Sequence, residues 1–382
     1  MERSDLDEFV RGAQFIHALQ VFIKEEKQKM NSGSNLFSQP VSIHAPGTFI
    51  NKALLIALCI GLAAGCSKST EPATLTIDSI PFDEMNGKDE FNASDIVPLA
   101  DSRFLICDNN TNDALFELNL TPDGEKKGPL IRRPLQGLAP GAVDDLEGMA
   151  FVDENGRRYV FVTSSLYVKK AKKDVLDVPP SGVLRVTVNP DDSLGAENMP
   201  DFRDWLISAY PQLSESAQTK PDDGGLNIEG FTWDKRRHAF LFGVRTPVPD
   251  GKPLVLPVRV KDLGGAWTTG NLEAQPPIQL SVEADLDEQG IRGLSNEQDR
   301  DAFLVITGKS ISDSKAPFAL YEWSGNADGA MRRFNVKFAK KMKPEGIARG
   351  TIGGKSALVI VDDSGGYQVV WADQQLPFVG SS

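Results

Sequence analysis

A unit of three short strands recurs five times along this chain, and it constrains the fold more than any other feature. Each copy has a partly polar first segment, a charged turn, a run rich in β-branched or aromatic residues, and a third apolar run. The copies begin at Ser94, Asp145, Asn227, Gly290 and Lys343. The segments that link the copies can supply a fourth strand. Four-stranded units repeated at roughly 40–60 residues are typical of β-propeller blades.

The repeat therefore predicts an all-β fold, a β-propeller of five or six blades. A sixth blade would close the ring from the strand-like residues 73–77 and the end of the chain. A β-sandwich is the competing architecture, because repeats with little sequence identity also occur there. Between the second and third copies, residues 201–213 (DFRDWLISAYPQL) have the pattern of an amphipathic helix that ends near Pro211. The polar residues that follow, up to Gly225, have the composition of a disordered stretch.

An export signal precedes the repeat. Residues 53–64 (ALLIALCIGLAA) are apolar, follow Lys52, and lead through Gly65 to Cys66. Roughly 20 apolar residues are needed to span a bilayer, so this shorter run is typical of the core of a signal peptide. Its end resembles the lipobox of bacterial lipoproteins, although Ala63 stands where Leu is commonest. The resemblance implies that Cys66 is acylated and becomes the first mature residue. A buried apolar helix that happens to end in Gly-Cys is the alternative.

These signals divide the chain into four parts. Residues 1–49 are an N-terminal extension, residues 50–65 a lipoprotein signal peptide, residues 66–73 a polar tether and residues 74–382 a single propeller domain. For the extension we prefer a start codon assigned too far upstream, with the true start near Ile50. A cytoplasmic extension on a signal anchor is the alternative. We expect the mature protein to be exported across the inner membrane and held by its lipid, at the outer membrane facing the periplasm.

Composition excludes several classes of function. The formal net charge of −12 and the isoelectric point near 4.9 argue against nucleic acid as a partner. The chain has three cysteines and three histidines. Processing at Cys66 would leave two cysteines, Cys66 and Cys107, and one histidine, His238. This excludes a disulfide framework and almost excludes Ser-His-Asp catalysis and multi-histidine zinc sites. Any metal site would need oxygen ligands, which favours calcium or magnesium.

The first segments of the copies resemble a known family. The segments at 145–148 (DLEG), 227–230 (NIEG), 290–294 (GIRGL) and 343–347 (KPEGI) match, in order, the motifs of the bacterial domain-of-unknown-function family thirty-six sixteen. That family is distantly similar to the esterase-like phytase propellers. The resemblance covers nearly all of residues 95–371, and it implies a propeller with Glu-Gly at its blade starts but no settled activity. The chain departs from the motifs at Asn227 and Gly293, where acidic residues are usual. Fewer carboxylates are therefore available to bind a metal ion.

The first strand of each propeller blade lines the central channel, so equivalent repeat positions should converge there. Asp95 should lie in this channel. We predict that six further residues form a ligand-binding site there: Asp145, Glu147, Glu229, Arg245, Arg292 and Glu345. Three of these, Glu147, Glu229 and Glu345, are the candidate ligands of a calcium ion. A structural use is the competing interpretation, in which each glycine permits a tight turn and each glutamate pairs with backbone amides or a neighbouring arginine.

Two functions follow from these residues. The first is a monomeric, envelope-anchored binding or scaffold protein with an acidic channel, whose partner is a small molecule or another envelope protein. The second is a calcium-dependent, phytase-like phosphoester hydrolase, in which carboxylates hold metal ions and an activated water attacks phosphate. The sequence favours the first over the enzyme and leaves the ligand open. No cofactor is predicted apart from the candidate calcium.

Overall fold

Five blades of antiparallel strands surround a common axis in the computed structural model, which describes residues 74–380 except 84, 87–88, 155, 173–174, 282–288, 298–299 and 375. The outer strands of the first two blades also pair in parallel, Leu135 with Leu194, so these blades share one eight-stranded sheet. The predicted extension, signal peptide and tether, with Cys66, lie outside the described residues. Four short strands come first: β1 (Leu75–Ile77), β2 (Ile80–Pro81), β3 (Met85–Asn86) and β4 (Asp89–Glu90). Blade 1 contains β5 (Ala93–Ala100), β6 (Arg103–Asp108), β7 (Thr111–Asn119) and β8 (Ile131–Gln136).

The remaining blades repeat this order from the inside outward. Blade 2 contains β9 (Leu146–Glu154), β10 (Arg157–Ser164), β13 (Val183–Val188) and β14 (Leu194–Met199), with a hairpin of β11 (Lys170–Lys172) and β12 (Val175–Asp177) inserted. Blade 3 contains β15 (Asn227–Asp234), β16 (Ala239–Thr246), β17 (Leu254–Val260) and β18 (Leu272–Ala274), and β19 (Ile278–Gln279) also pairs with β17. Blade 4 contains β20 (Gln289–Glu297), β21 (Ala302–Lys309), β22 (Ala319–Trp323) and β23 (Met331–Arg333), and β24 (Val336–Phe338) follows it. Blade 5 contains β25 (Pro344–Ile352), β26 (Lys355–Asp362) and β27 (Gly366–Trp371).

The innermost strands form a closed ring. β5, β9, β15, β20 and β25 pack side by side in that order, and β25 returns to β5. Five apolar clusters fill the spaces between neighbouring blades. In the cluster between blades 2 and 3, for example, the rings of Phe161 and Phe240 meet edge to face with centroids 4.7 Å apart. The chain is therefore a five-bladed β-propeller, which confirms the predicted propeller and excludes the sandwich.

The ring is closed by the beginning of the domain, in a way the sequence did not predict. β2 pairs with β27, as Ile80 aligns with Tyr367, and becomes the fourth strand of blade 5. Residues 75–77 do not start a sixth blade, because β1 instead pairs in parallel with β24 outside the blades. The expectation of a sixth blade was wrong because the final copy lacked an outer strand, and β2 fills that place.

The helical insertion between blades 2 and 3 is confirmed. Helix α1 (Phe202–Ala209) and a 3-10 turn at Pro211–Leu213 bury Phe202, whose ring stacks on Phe242 at 4.9 Å. The polar stretch that follows is ordered, contrary to expectation, with 3-10 turns at Ser216–Gln218 and Pro221–Asp223. Further 3-10 turns lie at Pro249–Gly251, Thr269–Asn271 and Ala372–Gln374. Among the residues that the structure describes, no helix is long and apolar enough to cross a membrane.

Candidate ligand site at the channel mouth

A layer of buried charged side chains lies near the beginning of the five innermost strands. Its members come from each blade in turn and are at most 7% exposed: Asp95, Glu147, Glu229, Arg292 and Glu345. A β-bulge lies at this point in four of the innermost strands, because the pairing with the second strand of the blade skips Glu147, Glu229, Arg292 and Glu345. A bulge redirects the side chain of the unpaired residue, and here these side chains meet at the axis. All five were singled out from the repeat, and their placement agrees with the expected convergence.

The glycines of the Glu-Gly pairs serve close packing and not tight turns. None of Gly148, Gly230 and Gly346 has a positive φ. A Cβ built at Gly148 would lie 2.4 Å from the Cβ of Phe231, and one at Gly346 would lie 2.6 Å from the Cα of Asp95. Neighbouring innermost strands thus approach each other where any side chain would collide. The prediction that each glycine permits a tight turn was therefore wrong. Five innermost strands form a narrow ring, and this brings neighbouring strands too close for a side chain at these positions.

Arg292 joins two carboxylates of the layer. Its Nε lies 3.0 Å from Oε2 of Glu229, and its guanidinium also pairs with Glu345. Arg245, near the end of β16, adds a second cation, with its Nη1 2.8 Å from Oε1 of Glu229. Burial lowers the pKa of Arg292, while Glu229 opposes that effect. Glu229 and Glu345 thus pair with arginines of a neighbouring blade or of their own, one of the two pairings that the structural interpretation allowed.

Glu147 is different, because it has no arginine of its own. Its Oε2 is buried and, among the residues that the structure describes, has no partner in hydrogen-bonding geometry, although the Ser94 hydroxyl is near enough to lower the pKa of the carboxyl group. Burial, followed by the negative charges of Asp145 and Glu229, raises the pKa of Glu147 well above its ordinary value, and Arg292 opposes the rise. Glu147 is therefore a buried carboxyl group that binds a proton more readily than an ordinary glutamate does.

Asp145 lies just before β9 and is half-buried at the mouth of the channel. Its φ of 58° is in the left-handed region, which non-glycine residues adopt rarely and often at functional sites. The Ser165 hydroxyl donates to Oδ2, and the Ser165 amide donates to the Asp145 carbonyl oxygen at 3.0 Å. Burial raises the pKa of Asp145 to about 6, with the charge of Glu229 adding to the rise. We call Asp145, Glu147, Glu229 and Arg245 the acidic mouth.

Asp95 has a structural part in the layer. Its Oδ1 accepts the N–H of Ile96 at 2.8 Å and its Oδ2 accepts that of Met149 at 2.6 Å, while the Ile347 N–H is a third donor. The carboxylate therefore joins the innermost strands of blades 1, 2 and 5. Burial raises the pKa of Asp95, and these N–H groups act in the opposite direction.

The predicted calcium ligands can be compared with these contacts. Glu229 and Glu345 are both paired with Arg292, and Glu147 alone of the three has no arginine pair. Over the described part of the chain, no group of three or more histidine, cysteine, aspartate or glutamate side chains is arranged to hold a metal ion. Calcium at Glu147, Glu229 and Glu345 stays a prediction from the sequence.

Sequence reasoning missed two groups at the mouth. Ser165 bonds Asp145, and the carbonyl oxygen of Ser310 accepts from Arg245 Nε at 3.0 Å. Both follow a second strand, β10 and β21, at the end where that strand meets the channel mouth. Their position after the strand was a usable signal, but neither residue type stands out among the many serines of the loops.

No protein-family model matches the chain, and no curated protein matches it. Among solved structures, 160 chains match. A GH43_1 enzyme from Xanthomonas citri, complexed with xylose, is 10% identical with a TM-score of 0.44, over 79% of this chain and 93% of that one. An alpha-L-arabinofuranosidase from Lactobacillus brevis is 10% identical with a TM-score of 0.42, over 76% and 94%. The Malassezia sympodialis allergen Mala s 1 is 10% identical with a TM-score of 0.36, over 74% and 79%. These similarities carry no information on activity.

Proposed function

We propose that this chain is an envelope-anchored lipoprotein whose propeller binds a small organic cation at the acidic mouth. The observation that carries the binding role is the buried Oε2 of Glu147, which has no hydrogen-bond partner in the part of the chain that the structure describes. A buried polar atom left without a partner costs about 1–3 kcal/mol. A ligand that donates a hydrogen bond to this atom would recover that free energy.

The charge at the mouth favours a cation as this donor. Glu229 is already balanced by Arg245 and Arg292, whereas Asp145 and Glu147 have no comparable partner. Opposite charges brought into a buried site interact more strongly than in water. An ammonium group combines positive charge with several N–H donors, so it suits Glu147 and Asp145 together.

The anchoring part of the proposal depends on the sequence around Cys66. Feeding cells a radioactive fatty acid should label the native protein, and a Cys66→Ala variant should remain unlabelled. Persistence of residues 1–65 on the unlabelled native protein, measured by intact mass, would contradict the lipoprotein assignment.

Binding is tested by thermal unfolding of the full chain with putrescine, ethanolamine or calcium chloride. A ligand that binds only the folded state raises Tm by mass action. We expect the amines to raise Tm for the wild type and not for Glu147→Gln, a variant of nearly the same shape. A matched Glu273→Gln variant, at an exposed residue of blade 3, should respond like the wild type.

Two outcomes would contradict the proposed ligand. One is an unchanged Tm with every amine. The other is a rise with calcium alone that Glu147→Gln abolishes, which would favour the calcium site predicted from the sequence. Phosphate release from phytate in the presence of calcium would likewise favour the phosphoester hydrolase.

A further inference from the structure

A cavity of about 390 Å³ occupies the other half of the channel, beyond the charged layer. All five innermost strands contribute to its wall through residues that follow the layer toward the strand ends. We call this cavity the lower chamber. Its wall includes Pro98, Phe151, Thr232, Ser295, Asn296 and Arg349. Its volume lies within the range of about 300–1,000 Å³ that is usual for small-molecule sites.

The lower chamber and the acidic mouth are distinct sites. Glu147 and Arg292 precede the chamber residues Met149 and Leu294 on the same strands, so the chamber begins beyond the buried layer to which Glu147 and Glu229 of the mouth belong. None of the four residues of the acidic mouth is among those that line the chamber. A ligand of the chamber would therefore meet different chemistry from a ligand of the mouth.

The charge inside the lower chamber is balanced within the protein, because Arg349 pairs through its Nε with the buried carboxylate of Glu297. Asp101 keeps its negative charge, but it lies at the exposed rim, where its carboxylate accepts the N–H of Gly354 at 3.0 Å and water screens the charge. A ligand held between the innermost strands would thus meet no unbalanced charge among the chamber residues Arg349 and Asp101 except at the rim. The chamber therefore favours an uncharged ligand.

The remaining groups of the wall combine hydroxyl and amide side chains with apolar surface. Thr232 is buried and Ser295 is half-buried, and the Asn296 side chain donates its Nδ2 to the carbonyl oxygen of Trp233 at 2.7 Å, which leaves its Oδ1 as an acceptor. Apolar surface comes from Met149 and Ile347, among others. Hydroxyl groups both donate and accept, so a wall of this kind suits a ligand rich in hydroxyls with apolar C–H faces.

We propose that the lower chamber binds a neutral polyhydroxylated molecule of the size of a monosaccharide or disaccharide. The site is independent of the proposed cation site, and either could exist without the other. Apolar contact would come from the strand backbone and aliphatic side chains, and hydrogen bonds from Thr232, Ser295 and Asn296.

Titration calorimetry on the full chain tests this with glucose, myo-inositol and trehalose as neutral probes, and glucosamine and glucose 6-phosphate as charged ones. We expect at least one neutral probe to bind, and to bind at least tenfold more tightly than the charged ones. Ser295→Phe, which fills the chamber, should abolish binding. Thr232→Val, which keeps the shape, should weaken it about three- to tenfold, the loss of one hydrogen bond.

A Glu147→Gln variant serves as the matched control and should bind the neutral probe as the wild type does. Unchanged Tm values for Ser295→Phe and Thr232→Val would show that both variants fold. The proposal is overturned if no neutral probe binds, if charged probes bind equally well, or if the folded Ser295→Phe variant retains binding. It is also overturned if Glu147→Gln removes the binding, since that result places the ligand at the mouth.

Discussion

The Asp95 carboxylate accepts the backbone N–H of Met149 at 2.6 Å, so a side chain of blade 1 is bonded to the innermost strand of blade 2. The same carboxylate also accepts an N–H from its own strand and one from the innermost strand of blade 5. An ionised carboxylate only accepts hydrogen bonds, so it suits the channel, where the free edges of the innermost strands present N–H groups.

Replacement of Asp95 should therefore destabilise the ring where blades 1, 2 and 5 meet. Asp95→Ala leaves buried N–H groups without an acceptor, each at a cost of about 1–3 kcal/mol. Asp95→Asn keeps one acceptor oxygen and should cost less. Urea unfolding measures both, with Asp113→Ala, at an exposed aspartate, expected within about 0.5 kcal/mol of the wild type. Equal stability of Asp95→Ala and wild type would refute this role.

Arg292 neutralises Glu229 and Glu345 inside the protein. Arg292→Met leaves the buried carboxylate of Glu345 without its cation and Glu229 with Arg245 alone, for which a loss of about 3–5 kcal/mol is expected. Adding Glu345→Gln to Arg292→Met should restore part of that loss, because one uncompensated charge disappears. The double-mutant comparison by urea unfolding would contradict the pairing if the two substitutions were additive.

Gly148 should not tolerate even one methyl group. Gly148→Ala places a Cβ 2.4 Å from that of Phe231, and such overpacking costs about 1–3 kcal/mol. Gly195 on β14 provides the control, since the nearest atom to its added Cβ is 3.9 Å away and its φ is not positive. Gly195→Ala should be neutral or slightly stabilising. Thermal unfolding of the two variants compares them, and equal Tm values would argue against close packing at Gly148.

Asp145 should make stability depend on pH with an unusual sign. Its pKa in the folded protein is about 6, above the ordinary 3.8, so the folded state binds more protons between these values. Stability conferred by the proton is therefore fully present below about pH 4 and is lost as pH rises through 6. Relative to wild type, Asp145→Asn should gain up to about 3 kcal/mol between pH 4 and pH 7. Asparagine also tolerates the left-handed backbone at this position.

Urea unfolding of wild type and Asp145→Asn at a series of pH values measures this difference, since carboxyl groups away from the mouth contribute equally to both proteins. The substitution also removes the charge that helps to raise the pKa of Glu147, so the measured difference includes that neighbour. Ser165 hydrogen-bonds to the carboxyl group and holds the pKa down, so Ser165→Ala should move the transition to higher pH. A stability difference that does not change with pH would refute a raised pKa for Asp145.

Much of this architecture could be predicted because the strand pattern repeats. The five copies marked the inner three strands of every blade, and their shared first segments identified Glu147, Glu229 and Glu345 as neighbours across the axis. Closure by β2 could not be predicted, since Ile80 and Pro81 are too short a strand to stand out. The role of Gly148 depended on the spacing between strands, which local sequence does not contain.

The chemistry of the site was harder to predict than its position. Equivalent repeat positions predicted a mixed set of carboxylates and arginines in the channel, with Glu147, Glu229 and Glu345 as candidate ligands of calcium. The structure instead separates them, because Arg245 and Arg292 reach Glu229 and leave Glu147 without a cation. Which acid an arginine pairs with depends on side-chain reach across blades, and this is settled by distances in three dimensions. The lower chamber was missed because its wall consists of ordinary strand residues.

The most direct test of the proposed function is to count the protons released when putrescine binds. Calorimetry at pH 6 in buffers of different ionisation enthalpy measures this number. The pKa of Asp145 is about 6 and that of Glu147 is raised, so both carboxyl groups bind a proton more readily than ordinary carboxyl groups, and an ammonium group that pairs with their ionised forms should displace protons. We predict net proton release by the wild type, at least partly lost in Glu147→Gln together with affinity. Binding without proton release, or release and affinity unchanged in Glu147→Gln, would contradict the acidic mouth as the ligand site.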